Sequence, residues 1–279
     1  MWNILGVNVE AWDQRRAIDV LDTAIAAGIP TCVAFANSNL INLAARNSVL
    51  RGTLAGFTVL NDGLGMDIAA RILHGKSFPS NLNGTDFVPA YLENTVHAHR
   101  IFIVGARPEV AKRAARALQQ RFGGKHEVVG FTDGYSGVGH TGQVLAAITG
   151  ARATLLLVGM GNPRQEIWLG ENMVRSGSNL GFGVGALLDF AAGEVRRAPR
   201  LIRSLRLEWA YRLTQEPRRL FRRYMLEAPV FVCRLVSQRL RTTTYLRRHQ
   251  WSAPGRSGMA AVARATGTAV TLDVQSIHR

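Results

Sequence analysis

Short apolar runs alternate along the chain with longer stretches in which apolar residues recur every three or four positions. A run of four to six apolar residues bounded by turn residues predicts a buried strand, and the wider spacing predicts a helix with one buried face. Ile4 to Val9 predicts a first strand, and Asp13 opens a helix through Ala27 that stops at Gly28. Thr31 to Ala36 is the next strand, halted at Asn37-Ser38-Asn39, after which a helix carries Leu40, Leu43 and Ala44 inward. Phe57 to Leu60 ends at Asn61-Asp62-Gly63 and precedes a helix holding Ile68, Ile72 and Leu73. Asp86 to Ala98 reads as helical, Arg100 to Val104 as a strand that meets Gly105, and Pro108 to Phe122 as an amphipathic helix. Glu127 to Phe131, Thr154 to Val158 and Leu180 to Val184 complete the strands, with Gln143 to Ile148 helical between the first two of them.

Strands alternating with helices in this way predict an α/β fold: a Rossmann-like, mostly parallel sheet with helices on both faces. Ligands of such sheets gather outside the carboxyl ends of the strands. Those ends offer Asn37, Asp62, Gly105, Asp133, Gly159 and Gly183. The stretch Val158 to Trp168, VGMGNPRQEIW, concentrates the signal. A strand stops at Gly159-Met160-Gly161-Asn162, and Pro163 suits the first turn of a helix, where its missing N–H costs nothing. Strand, glycine turn and helix start together favour an anion, because N–H groups without helical partners point outward there. A βα loop that needs glycine only for its turn would look the same.

Charge changes the picture beyond residue 195. The formal net charge is +15, and from Val195 to Arg248 there are fifteen arginines against three glutamates, a net +12. The arginines alternate with Leu205, Trp209, Tyr211, Leu213, Phe221 and Tyr224, which predicts two basic amphipathic helices broken near Pro217. Cations beside amphipathic rings suit an anionic membrane surface. A solvated charged face over an ordinary packing face is the plainer alternative. The expected organisation is an α/β core over 1–195, a basic helical appendage over 196–248, and a disordered tail over 249–279 rich in Gly, Ser, Ala and Thr.

Several chemistries are disfavoured. There is no G-x-G-x-x-G after a strand, no G-x-x-x-x-G-K-[ST] and no G-x-S-x-G. Cys32 and Cys233 are the only cysteines and the seven histidines are scattered, so neither a disulfide framework nor a metal cage is expected, and a reducing cytoplasm is the default. No stretch approaches the ~20 apolar residues that span a bilayer, and the amino terminus lacks the pattern of a signal peptide.

Four stretches in order, Asn61-Asp62-Gly63-Leu64-Gly65, VGMGNPRQEIWL, GVGALLDFAAGEVRRAP and LEWAYRLTQEPRRLFRRY, resemble the WecG/TagA/CpsF glycosyltransferases, glycosyltransferase family 26. The resemblance covers roughly residues 3 to 225. It implies an inverting transfer of a hexose-type sugar from a UDP-sugar to a polyprenyl-diphosphate-linked saccharide. The setting it implies is the cytoplasmic membrane face, in assembly of a surface polysaccharide of exopolysaccharide type, without an obligatory metal or other cofactor. Residue by residue, it makes Asp62 the general base and Asn37 an active-site neighbour. It places Gln165, Tyr135 and Asp189, with Gly159 and Gly161, at the donor nucleotide, and Arg212, Arg219 and Arg222 at a diphosphate or lipid phosphate. Phe35 departs from the Thr that the family often has two residues before the Asn. A helix cap would also suit Asp62, a solvent-facing first-turn position Gln165, and a cap of the short helix before Gly193 Asp189. The rival classes are a basic nucleic-acid-binding protein, which lacks a recognition module here, and an inactive nucleotide-sugar-binding protein. A homo-oligomer is compatible with everything above.

Overall fold

The computed structural model describes residues 1–134, 140–195, 198–199, 208–215, 225 and 227–250. Among them, six strands form one parallel sheet: β3 (Thr31–Ala36), β4 (Thr58–Asn61), β5 (Arg100–Gly105), β6 (Glu127–Thr132), β7 (Leu155–Gly159) and β8 (Leu180–Gly183), in the order β4-β3-β8-β7-β5-β6. The first predicted strand is corrected. Leu5 and Gly6, both at positive φ, fold Ile4–Val9 back into a two-stranded antiparallel hairpin, β1 (Trp2–Ile4) and β2 (Val7–Val9), outside the main sheet.

Side-chain alternation along each strand divides the core. Val33, Phe35, Ile101, Ile103, Leu155 and Leu157 face one way, against α1 (Gln14–Ala26), α5 (Gly84–Asn94) and α6 (Pro108–Phe122). Their neighbours Cys32, Ala34, Ala36, Phe102, Val104, Leu156 and Val158 face the other way. There they meet α2 (Ser38–Arg46), α3 (Ser48–Ala55), α4 (Leu64–His74), α7 (Thr141–Gly150) and α8 (Arg164–Ser176). Burial on both faces explains why β7 reads as an unbroken apolar run instead of an alternating one.

Local rules set most helix starts. The Asp13 carboxylate accepts from the Arg16 N–H at 2.8 Å, a cap worth ~1 kcal/mol. In α6, Val110, Ala114, Leu118 and Phe122 recur every four residues on the buried side. Three expectations give way. Helix α3 follows its own cap, Asn47, whose side chain accepts from Leu50 N–H, so the segment after β3 holds two helices. Helix α5 starts at Gly84, capped by Asn83, and stops at Asn94 because the Thr95 hydroxyl and Val96 N–H bond to Asp22 instead. Ile68 is exposed; α4 buries Met66, Ala69, Ala70 and Leu73.

After α9 (Leu187–Ala191) come α10 (Glu208–Gln215) and α11 (Glu227–Gln250). Residues Met1–Gln238 form one compact unit and Arg239–Arg279 another. Within the first, Phe231 and Leu235 of α11 are buried in the core on the α2–α4 face. Asn42 donates to the Glu227 carbonyl at 2.8 Å, Arg234 donates to the Asn42 side chain at 2.9 Å, and Leu5 N–H donates to Gln238 at 2.9 Å. Residues 227–238 of the basic stretch thus supply core packing. The tail beyond 250 lies outside the described residues.

Candidate active site

Parallel pairing puts the strand ends in one row. Ala36 pairs with Asn61, Ala34 with Gly183, Gly183 with Val158, and Gly159 with Gly105. Asn37, Asp62, Gly185, the Gly159 turn and Asp133 therefore open on the same edge of the sheet, the edge where such sheets bind ligands. Three strand spacings separate β4 from β7 in this order, so Asp62 stands about 14 Å along the edge from Gly159.

At the β3–β4 end, the Asn37 side-chain oxygen caps α2 by accepting from Leu40 N–H at 3.1 Å. That cap turns the amide nitrogen outward, and it donates to Asp62 Oδ2 at 3.3 Å. The half-buried Asp62 is held by its own N–H, which donates to the Ala36 carbonyl at 2.7 Å. The N-cap position of the following helix falls on Gly63, at φ +85°, one residue after Asp62. The Gly63 N–H donates to Asn81 Oδ1 at 2.8 Å, and the buried Asn61 amide donates to the Ser80 carbonyl at 2.9 Å. Asn81 thus shapes the turn that presents Asp62. Sequence reasoning did not single it out, since an Asn in a polar loop carries no local mark of a partner eighteen residues away.

Phe35, where the family often has Thr, is buried among Phe87 and Phe182, with ring centroids 6.1 Å from each. Gly84 makes room for it, because a Cβ there would lie 2.8 Å from the Phe35 ring. The departure is a packing choice beneath the site.

At the β5–β7 end, glycines let three loops meet. A Cβ on Gly105 would lie 2.5 Å from the Gly159 backbone, and one on Gly134 would lie 3.0 Å from Gly105 Cα. Ala106 N–H donates to the Gly159 carbonyl at 2.9 Å and Gly134 N–H to the Ala106 carbonyl at 3.0 Å. Just beyond, Arg107 and Arg113 both pair with Glu194, tying the β5 loop and α6 to the segment after α9.

Gln165 is buried, not solvent-facing. Its Oε1 accepts from Gly161 N–H and Gly185 N–H, each at 3.1 Å, and so bolts the β7 turn to the β8 turn. The Gly161 N–H is thereby used within the protein, and what Gly161 supplies is its φ of +76°. The next residue, Glu166, is fully buried; its Oε1 accepts from Asn162 at 2.6 Å and from Gln165 at 2.7 Å. Its Oε2 has no hydrogen-bond partner among the described residues. Burial pushes this carboxyl up to about 7, opposed by hydrogen bonds from Gln165, from its own backbone N–H and from Asn162.

Asp189 sits half-buried in α9, inside the helix instead of at its cap, which falls on Ala186; its carbonyl accepts from Glu194 N–H at 2.9 Å. Arg212 lies on α10. Tyr135, Arg219 and Arg222 lie outside the described residues.

A parallel α/β sheet whose carboxyl edge carries a hydrogen-bonded carboxylate and glycine-built turns has the ligand edge at which nucleotide-binding folds hold their ligands. The family model for the glycosyl transferase WecG/TagA/CpsF family matches residues 2–245. The chain belongs to that family, and it is a glycosyltransferase, an enzyme that transfers a sugar from a nucleotide-sugar donor to a sugar acceptor.

Proposed function

We propose that this glycosyltransferase moves a hexose-type sugar from a UDP-sugar to a polyprenyl-diphosphate-linked saccharide, with inversion, at the inner face of the plasma membrane during exopolysaccharide assembly. The observation that carries the reading is the Asn37–Asp62 pair at one end of a row whose other end is the glycine turn of β7. In this scheme the donor diphosphate lies by the Gly159–Gln165 turn and the α8 start, the nucleotide reaches Tyr135 and Asp189, and the sugar extends toward Asp62. Asp62 takes the proton of the acceptor hydroxyl as that oxygen attacks the anomeric carbon, while UDP leaves from the opposite face. General-base help of this kind is worth ~10²–10⁴-fold. Asn37 holds the carboxylate by its amide hydrogen and keeps it aimed.

The leaving diphosphate takes up charge, and Arg212, Arg219 and Arg222 are assigned to neutralise it or the lipid phosphate through planar guanidinium forks. No metal is assigned a role. The remaining arginines are assigned to anionic lipid. No helix among the described residues is long and apolar enough to cross a membrane. Val232 and Val236 of α11 are exposed at four-residue spacing, as are Leu64 and Ile68 on α4, which supports adsorption to a surface.

The test is transfer of label from a panel of UDP-sugars to a lipid-linked acceptor, with and without chelator. Full activity of Asp62→Asn removes Asp62 as the base, and loss of activity with chelator removes the metal-free mechanism. Val232→Glu with Val236→Glu, at exposed positions of α11 outside the core, is expected to weaken binding to anionic liposomes; unchanged binding assigns the surface elsewhere.

A further inference from the structure

Glu166 is used by no step above, yet it is the most completely buried carboxyl among the described residues at the ligand edge of the sheet. Two features of its surroundings constrain what it does. Its Oε1 collects both nearby side-chain amides, from Asn162 in the turn and from Gln165 beside it. An amide whose NH2 is claimed in this way must turn its carbonyl oxygen elsewhere, and for Gln165 that oxygen meets the N–H groups of Gly161 and Gly185. Glu166 therefore sets the orientation of the bolt between the β7 and β8 turns. The second feature is Oε2, which is buried with nothing to bond. An ionised carboxylate with one bare oxygen in such a place is far costlier than the neutral acid. Asn162 and Gln165 face it from its own turn and helix start, and Gly183 approaches from β8, where a Cβ would lie 3.4 Å from Oε1. No charged side chain contributes to the shift of its titration, which burial dominates.

We propose that Glu166 is a positioning residue that works as the neutral acid: its Oε1 orients Asn162 and Gln165, and the proton on Oε2 keeps the floor of the donor turn uncharged when an anionic donor arrives. The proposal rests on the reading that the diphosphate lies at this turn. Ionising Glu166 would leave both amides bonded but would put a buried negative charge beneath a dianionic ligand, where poor screening makes the repulsion felt.

The test is calorimetric titration of the full chain with UDP from pH 6 to pH 8.5, wild type beside Glu166→Gln. Glutamine keeps an acceptor oxygen for both amides and cannot ionise. Because the terminal phosphate of UDP titrates in the same range, the quantity to read is the ratio of the two dissociation constants at each pH. It is expected to lie near one at pH 6 and to rise to about tenfold by pH 8.5, as wild type alone acquires the charge. A ratio that does not change with pH overturns the proposal, and so does a folded Glu166→Gln protein that binds no UDP at pH 6. A wild type that binds no UDP at any pH overturns the donor reading itself, and this proposal with it. If the variant does not fold, the infrared spectrum of wild type decides. A protonated carboxyl band present at pH 6 and lost by pH 8.5 supports the neutral acid, and its absence at pH 6 overturns it.

Discussion

The two ends of the same sheet use buried polar groups in opposite ways. At the amino end, His99 and His126 precede β5 and β6 and stack with centroids 5.5 Å apart. Every bond around them is made. His126 Nδ1 accepts from His99 N–H at 3.1 Å while its Nε2 meets the Leu92 carbonyl at 2.8 Å, which places the ring proton on Nε2. His99 Nε2 meets the Tyr91 hydroxyl at 3.0 Å, and Thr95 and Val96 both donate to Asp22. At the carboxyl end, Glu166 Oε2 has no hydrogen-bond partner among the described residues, and the Gly105, Gly134 and Gly159 loops approach as closely as backbones can. Satisfied polar groups fix how helices and strands join; unsatisfied ones persist where a site asks for something besides stability.

The largest effect that could break this comparison concerns Asp62. Asp62→Asn is expected to lower turnover ~10²–10⁴-fold while the thermal midpoint stays nearly unchanged, because the group is only half-buried and the Asn37 contact is long. A variant that is inactive because it is unfolded, seen by circular dichroism, would place Asp62 with the structural residues.

Next in size are two opposed pH dependences. Burial, aided by the neighbouring His126, pulls His99 down to about 4, below the ordinary 6.5. The unfolded chain then takes this proton first, so stability present above pH 6.5 is lost as pH falls toward 4. Glu166 runs the other way. Its proton is held up to about pH 7 against an ordinary 4.5. The stability that proton contributes is full below 4.5 and lost as pH rises through 7. Each effect amounts to at most about 3 kcal/mol. Denaturant melts against pH are expected to lose the acid-side fall in His99→Leu and the neutral-side fall in Glu166→Gln. If either variant keeps the slope assigned to it, the two-ended picture fails at that end.

At a fixed pH of 7, His99→Leu leaves the Tyr91 hydroxyl only the longer bond from Thr95 at 3.3 Å and is expected to cost ~1–3 kcal/mol of stability, with transfer by the folded protein unaffected. A changed Michaelis constant would show that the amino end reaches the site. The smallest effect belongs to Asn81→Ala. Losing the acceptor of Gly63 N–H is worth ~1 kcal/mol, so turnover is expected to fall up to tenfold with donor affinity unchanged. An unaltered rate would mean that the Asp62 turn holds its shape without Asn81.

Elements with a strong local signal were legible from residues alone. Thr31–Ala36 and Pro108–Phe122 match the described β3 and α6 end for end. The carboxyl-edge location of Asn37, Asp62 and the Gly159 turn also follows from the parallel α/β pattern, since every βα loop of such a sheet emerges on one side. One failure has a local cause and the other a tertiary one. The Ile4–Val9 run became a hairpin because its Leu5-Gly6 turn takes positive φ, and the helix after Asp86 stopped short because Asp22, on another helix, captured Thr95 and Val96.

Apolar spacing, glycine placement and capping residues were enough by themselves to determine the α/β class, most elements and the edge that carries the site, because those are set by contacts within a few residues. Only the folded molecule decided that Gln165 is a buried bolt, that Asn81 shapes the Asp62 turn, that Phe231 and Leu235 pack a basic stretch into the core, and that Glu166 keeps an unpaired oxygen. Each of these depends on a partner far away in the chain or on the loss of water around a charge, and neither leaves a local pattern to read.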